Sequence, residues 1–397
     1  MRVAIAGGNL QGLEAAYLAR RAGWEIVVMD KEGAVPAAGL AHSFFRVNFL
    51  TDVAAWRKII KECDFVIPAL EDAVVLDLLQ EITAQEGVPL AYDRASYRVS
   101  SCKQKSNQLF RSLELPLPEP WPACRFPVLI KPSGLSGSSG VTRVESASEL
   151  NKLLSRLKQD THNRWIVEEF VEGHGYSLEI LGCGEKFQTL QITEIHVDEA
   201  FDCKRVVAPA KLSEKQAEDL KQLTLKTARA LNLTGIMDLE AINSKDGWKV
   251  LEIDARLPSQ TPITVYHSTG INMLEPLYDI FARGILPALK PAKRPKAVIY
   301  EQIRVSGETL EILGERVISK VGPLALVENF FGADVALTNY GRGADWVAIV
   351  IFYGDSMAEL WSRHDDMLES IAKQHDLHIK IDDRAAVTAG KGGGVHL

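Results

Sequence analysis

Cysteine is scarce in this 397-residue chain, and none of the five residues, Cys63, Cys102, Cys124, Cys183 and Cys203, makes a CxxC pair. An odd, widely spaced set argues against a disulfide framework and fits a reduced compartment. No Cys/His cluster has the ligand spacing of a zinc site, and the nine histidines are scattered. No apolar run approaches the roughly 18 residues that span a bilayer, so no membrane association is expected. Excess positive charge is also missing. The net charge is −7, and a nucleic-acid partner is not expected because a phosphate backbone calls for a basic face. The N-terminus enters a strand pattern directly, without an n-region or a cleavage site, so the expected location is cytoplasmic. What remains, 46% hydrophobic and 24% charged residues, is ordinary for a globular chain of roughly two to four domains.

The opening stretch AIAGGNLQGLEAA (4–16) follows a strand-like VAIA and begins a helix, and IVVMD ends on Asp30. A dinucleotide fingerprint needs G-x-G-x-x-G, whose middle glycine lets the backbone approach a pyrophosphate. Gly7 and Gly12 fit the outer positions, but Asn9 occupies the middle one. The pattern therefore predicts a Rossmann-like βαβ unit and not a nicotinamide cofactor, with the glycines serving a tight turn and close helix–strand packing. CDFVIPA (63–69) reads as a buried strand, Glu71 to Glu86 as a helix and VPLAY (88–92) as a further strand. Residues 1–95 thus read as a small parallel-sheet domain.

PVLIKPSGLSGSSGV (127–141) is a strand ending in Lys131, then a loop rich in glycine and serine. Such a loop can fold backbone N–H groups over phosphates; taken alone, it could equally be a plain hairpin linker. It is not a Walker A motif, because no G-K-[ST] follows. Further on, GIMDLEAINSKDGWKVLEIDARLPSQTP (235–262) holds two strands joined at Lys245–Asp246–Gly247. Alternate residues of a strand share a face, so a hairpin sets Glu240, Glu252 and Asp254 around one point. Three carboxylates there repel one another. Mg²⁺ shared with nucleotide phosphates resolves that repulsion, since Mg²⁺ prefers oxygen ligands; a solvated acidic edge is the plain alternative.

The ordered set of Lys103 before the LPLP turn, Lys131 before the Gly/Ser loop, WIVEEFVEG (165–173) and LEIDAR (251–256) resembles the ATP-grasp superfamily of carboxylate–amine ligases over about residues 95–290. The resemblance implies an α/β chain with an α+β core: a Rossmann-like domain at 1–95, an ATP-grasp domain at 96–290 and a small C-terminal domain at 291–385. The ATP-grasp domain would comprise a lid at about 110–180 and a large subdomain at 181–290, and residues 386–397 would be a flexible tail. It implies ATP held by Lys103 (with Lys105 as competitor), by Lys131 and by the loop residues Ser133, Gly134, Ser138, Ser139 and Gly140. Adenine would meet the strand Glu168, Glu169, Phe170 and Val171. Lys204, with Arg205 as runner-up, would supply a third phosphate-binding cation, and Arg256 would steady the transferred phosphoryl group. Glu240, Glu252 and Asp254 would bind two Mg²⁺ ions, for which Mn²⁺ could substitute. Two departures stand out. Asp254 replaces the usual asparagine, and the usual ribose acid falls at Gly175, leaving Glu172 or Glu179 as candidates.

Within the superfamily, GGNLQGLEAAYLARRAG, GYSLEI and LEIDARLPSQTP resemble the ligases that join 3-methylornithine to L-lysine. That likeness implies small-molecule amino-acid substrates and an acyl-phosphate intermediate. Glu179, Asp238 and Asp254 are the expected partners of cationic amines, with Ser177, Asp198 and Glu199 behind them and Ser259 lining the pocket. Leu10 and Gln11 are expected at the substrate, because ligands sit at the carboxyl ends of parallel strands. A homodimer is the default assembly, since symmetric dimers are common. The alternatives are another ATP-grasp ligase (an amino-acid ligase or a purine-pathway carboxylase), a dinucleotide-dependent oxidoreductase or a non-catalytic nucleotide-binding protein.

Overall fold

The computed structural model describes residues 1–157 and 165–380. The expected tail at 386–397 lies outside them. The chain opens with β1 (Arg2–Ala6), α1 (Leu10–Arg21), β2 (Glu25–Asp30), β3 (Ser43–Arg46), α2 (Val53–Lys61), β4 (Phe65–Pro68) and α3 (Ala73–Glu86). Its four strands form a parallel sheet in the order β3-β2-β1-β4. β1, β2 and β4 are almost wholly buried, as parallel strands covered on both faces should be. At the start of α3 the Asp72 side chain accepts from the N–H groups of Val74 and Val75; at its end Gly87 takes the left-handed conformation at φ 69°. These are ordinary stop and start signals for a helix.

The expected strand at 88–92 is not formed. Only a single parallel bridge, Val66 to Leu90, is present. Pro89 has no N–H to give a ladder, and the N–H of Tyr92 turns back to the carbonyl of Leu90 at 2.8 Å. The fourth strand of the sheet is instead β3, which the sequence reading did not pick out.

The opening turn takes up its own candidate cofactor acid. Asp30 Oδ2 accepts the N–H of Gly8 at 2.7 Å and Oδ1 accepts that of Glu32 at 2.9 Å. A Cβ on Gly12 would sit 2.2 Å from the carbonyl oxygen of Gly7. The glycines therefore serve close packing.

After α4 (Arg94–Ser100) and α5 (Lys103–Ser112) comes a three-stranded sheet, β6-β5-β7, from β5 (Val128–Pro132), β6 (Thr142–Val144) and β7 (Trp165–Glu169), with α6 (Ala147–Leu157) against it. The large sheet begins with β8 (His174–Cys183), β9 (Lys186–Val197) and β10 (Cys203–Ala208). α7 (Glu214–Leu231) follows, opened by a capping box of Ser213 and Gln216. Next come β11 (Gly235–Ser244), β12 (Gly247–Asp254), α8 (Thr261–Thr269) and α9 (Leu274–Arg283). The remainder supplies β13 (Ala297–Ser306), β14 (Thr309–Ile312), β15 (Ala325–Phe330), β16 (Ala333–Thr338), β17 (Trp346–Gly354), α10 (Met357–His375) and β18 (His378–Lys380). The order β12-β11-β8-β9-β10-β13-β17-β16-β15 runs without a break. β10 pairs antiparallel with β13, Arg205 opposite Glu301 and Ala208 opposite Val298. The strands beyond residue 290 thus extend the sheet that carries the acidic hairpin.

Candidate active site

Three neighbouring strands align the carboxylates. Across β11 and β12, Asp238 faces Asp254 and Glu240 faces Glu252; across β11 and β8, Asp238 faces Glu179 and Glu240 faces Ser177. Residues two apart share a face. Glu179, Asp238 and Asp254 therefore form one row, and Ser177, Glu240 and Glu252 the next. Directly opposed residues stand about 4.5–5.5 Å apart at Cβ, so five acids crowd together. Burial first, then mutual repulsion, pushes Glu240 well above the usual carboxylate range. Burial does the same to Asp254 against the pull of Arg256. Burial lifts Glu179 and Asp238 to about 7 each. Glu252 goes the other way. Enclosure pushes it up, but Lys103 Nζ, 2.7 Å from its Oε2, outweighs that and holds it at about 2.

The cations come from other elements. Lys103 is the first residue of α5, and its Nζ also donates to the Leu135 carbonyl at 3.0 Å. Lys105 turns away, to the carbonyl of Arg98. Lys131 on β5 meets Glu168 on β7 at 2.6 Å, both buried. Arg256 is held by Asp254 at 2.9 Å and by Glu71 at 2.8 Å. β10 separates its two candidates by face. Lys204 is buried in the cavity wall. Arg205 points the other way, pairs with Glu301 of β13 and lies 4.7 Å from the centre of the Trp361 ring.

A cavity of about 660 Å³ is bounded by the three-stranded sheet, its Gly/Ser loop and the large sheet. Its wall includes Lys103, Lys131, Ser138, Ser139, Glu168, Glu169, Phe170, Val171, Lys204, Glu240 and Glu252. Apolar side chains, among them Leu129, Val141, Ile195, Phe201, Ile242 and Leu251, are also on it. The combination of an apolar slot with a few charged groups at one end suits a ligand with a flat ring and a charged tail. Ser133, Gly134, Gly140 and Glu172 are not on this wall. Ser133 is buried, with its Oγ accepting the N–H of Gln104 at the start of α5, and the other three are exposed. Asp198 and Glu199 are on the wall, but the Asp198 carboxylate is taken up by the N–H groups of Ala200, Asp202 and Gly314.

The remaining candidates gather beyond the wall, around Arg256. Gln11 Nε2 donates to Glu71 Oε1 at 2.8 Å, and Ser136 Oγ donates to the other oxygen of Glu71. Burial would raise Glu71, but the charge of Arg256 dominates and holds it below the usual range. Gln260, in a left-handed conformation at φ 73°, donates to Glu315 Oε2 at 2.6 Å. Ser259 also hydrogen-bonds Glu315, which burial raises to about 7. Leu10 opens α1 and packs on the main core. Gln11 Oε1, Glu179 Oε2 and Asp238 Oδ1 are buried without a hydrogen-bond partner among the described residues. Buried polar atoms in native proteins are nearly always satisfied, so this cluster has the character of a polar ligand site. Sequence reasoning missed two of its acids. Glu71 lies just past the carboxyl end of β4, where the rule for parallel sheets could have found it. Glu315 comes from a short 3₁₀ turn, Glu315–Val317, with no local signal.

Fold and site together define an ATP-grasp ligase. Residues 116–273 match the family described as D-ala D-ala ligase C-terminus. The chain is 33% identical over 359 residues to the 3-methyl-D-ornithine–L-lysine ligase of Methanosarcina acetivorans, covering 90% of this chain and 94% of that one. It is 35% identical to the Methanosarcina barkeri enzyme of the same name, covering 90% and 94%. Among solved structures, the ADP complex of an N5-carboxyaminoimidazole ribonucleotide synthetase shares the fold at 15% identity, with a TM-score of 0.68 over 94% of this chain and 97% of that one. The chain belongs to the 3-methyl-D-ornithine–L-lysine ligase family.

Proposed function

We propose that this ligase joins the carboxylate of 3-methyl-D-ornithine to the ε-amine of L-lysine, using ATP and releasing ADP and phosphate, as a step of pyrrolysine biosynthesis in the cytoplasm. The observation that carries the reading is the double row of acids on β8, β11 and β12, set beside Lys103, Lys131, Lys204 and Arg256. A carboxylate is a poor electrophile. Transfer of the ATP γ-phosphoryl to it gives an acyl phosphate; the amine then attacks the acyl carbon and phosphate leaves. The work of the protein is positioning and electrostatic stabilisation.

Among the described residues no three acids are gathered closely enough to hold a metal ion by themselves, so a divalent cation here would need nucleotide phosphates among its ligands. Glu240 and Glu252 face each other as oxygen ligands, Asp254 is beside them, and the excess of buried negative charge is what such an ion relieves. Glu240, Glu252 and Asp254 would hold Mg²⁺, or Mn²⁺ in its place, as one or two ions that neutralise charge on the nucleotide phosphates. Adenine belongs in the slot of Phe170, Val171 and Leu251, and the phosphates at Lys103, Lys131 and Lys204. Arg256 would steady the transferred phosphoryl group and the tetrahedral intermediate. The amine groups of two cationic amino acids call for uncompensated acids, and Glu179, Asp238 and Glu315, each raised by burial, are the candidates. The division at residues 95, 290 and 385 is kept as a functional one: scaffold and amine site, nucleotide site, and closing segment. A homodimer is the proposed assembly, because symmetric dimers are common, and light scattering tests it.

Phosphate release with mass spectrometry of the product tests the reaction. The mixture contains the ligase, ATP, Mg²⁺, 3-methyl-D-ornithine and L-lysine, with each amino acid omitted in turn. Amide product that requires both supports the reading. Turnover only with other carboxylates keeps the ligase and rejects the substrates.

A further inference from the structure

The Gly/Ser loop between β5 and β6 is held by contacts from outside its own sheet. Two non-glycine residues in the left-handed conformation meet there, Ser138 at φ 53° and Phe201 at φ 62°. Ser138 Oγ donates to the Phe201 carbonyl at 2.6 Å. Each such residue costs on the order of 1 kcal/mol, so the surrounding contacts must hold the geometry. One set of them comes from the C-terminal segment. Arg316 donates from its guanidinium to the Ser138 carbonyl at 3.0 Å, while its own N–H donates to Asp202 Oδ2 at 3.0 Å. The Arg316 Nε also lies 3.6 Å from that oxygen. Two residues earlier, at the cap of the 3₁₀ turn, the N–H of Gly314 donates to Asp198. A Cβ on Gly314 would stand 2.3 Å from the Asp202 side chain, so only glycine allows this approach.

The 198–202 turn is thus anchored to the 3₁₀ turn by two carboxylates, and both turns grip the loop at Ser138. On the N-terminal side Ser136 reaches Glu71, which pairs with Arg256. The loop is fastened at both ends of the site, and one fastening belongs to a segment outside the lid and the large subdomain.

We infer that Arg316 is a positioning residue that latches the Gly/Ser loop over the reacting phosphate, so that the C-terminal segment protects the acyl phosphate from water. The inference rests on the proposed ligase reaction. With the loop unlatched, water adds to the acyl carbon in place of the amine. The acyl–oxygen bond to phosphate breaks with its electrons on phosphate, and the original carboxylate is regenerated with ATP consumed. Excluding water is a general use of closing loops. Arg316 itself touches no reacting atom, so its loss should alter coupling more than nucleotide turnover.

The test compares wild type with Arg316→Ala and Arg316→Lys as full-length chains. The Arg316 side chain is 43% exposed, so its truncation leaves no cavity in the core. The first readout is phosphate released per amide formed. We expect a ratio near one for wild type, a several-fold higher ratio for Arg316→Ala and a partial return in Arg316→Lys, which keeps the charge. The second readout is hydrogen exchange of the 133–141 amides with Mg²⁺ and a non-hydrolysable ATP analogue. Protection should be weaker in Arg316→Ala. Unchanged coupling together with unchanged protection overturns the latch. If wild type forms no amide from these amino acids, the substrate reading fails, while the exchange measurement still decides the latch.

Discussion

The two faces of β10 bound two kinds of buried charge. On one face Arg205 meets Glu301, which also receives His364 at 2.6 Å. Burial would raise Glu301, but Arg205 and His364 outweigh it and hold it at about 2. That acid is answered by its own chain. On the other face Lys204 stands in the same cavity wall as Glu240 and Glu252, in a group whose acids outnumber the cations paired to them and are mostly pushed towards protonation. An internally closed charge set supports the fold; an open one awaits a ligand. Glu14 shows a third arrangement. It is buried without a cation, accepting the N–H of Ile263 and the hydroxyl of Tyr300, and burial raises it to about 8.

The comparison can be broken most sharply at Glu301. Glu301→Gln leaves Arg205 without its buried partner and should cost about 3–5 kcal/mol of stability in urea unfolding, while the turnover of the molecules that remain folded changes little. A loss of turnover without loss of stability would place Glu301 with the open set. Glu240→Gln should do the reverse. Turnover should fall about 10²–10³-fold, the scale of removing one electrostatic stabiliser. The melting temperature should hold or rise, because a like charge leaves a crowded row. Mg²⁺ with ATP should raise the melting temperature of wild type more than that of this variant.

Glu14 separates the third arrangement by pH. Its folded value, about 8, lies above the ordinary 4.5. Its contribution is therefore complete below pH 4.5 and is lost as the pH rises from there to 8, at roughly 1.4 kcal/mol per pH unit. Glu14→Gln mimics the protonated side chain, so its stability relative to wild type should climb through that window. A flat difference would mean that Glu14 is ionised in the fold. The smallest effect belongs to the surface. Lys105→Ala should leave turnover within about twofold, as exposed substitutions usually do, whereas Lys103→Ala should raise the KM for ATP and lower kcat.

The hairpin acids were legible as a group, because period two gives each strand its face and a short turn joins the two strands. The register was not: carried on from Ser244 opposite Gly247 it would set Glu240 opposite Leu251, and a β-bulge between Glu240 and Ala241 brings Glu252 across instead. The choice of Lys204 over Arg205 was legible only by motif position, and its physical cause, Glu301 on β13, lies 96 residues further along the chain. Glu315 was not legible, because it joins the Arg256 cluster through contacts between distant elements, whereas Glu71 was legible only as a residue just past the carboxyl end of a parallel strand. The strand expected at 88–92 failed on Pro89, a residue whose missing N–H was visible from the start. The expected division at residue 290 gave no hint that β10 and β13 are neighbours, since pairing partners are set by tertiary packing and not by local pattern.

That pairing has a practical consequence. A chain cut after residue 290 would bare the β10 edge from Arg205 to Ala208, which otherwise meets β13. An uncovered strand edge recruits other strands. A shortened gene product should therefore accumulate as insoluble material, and the linker near residue 290 that looks like a boundary is a poor place to split this ligase.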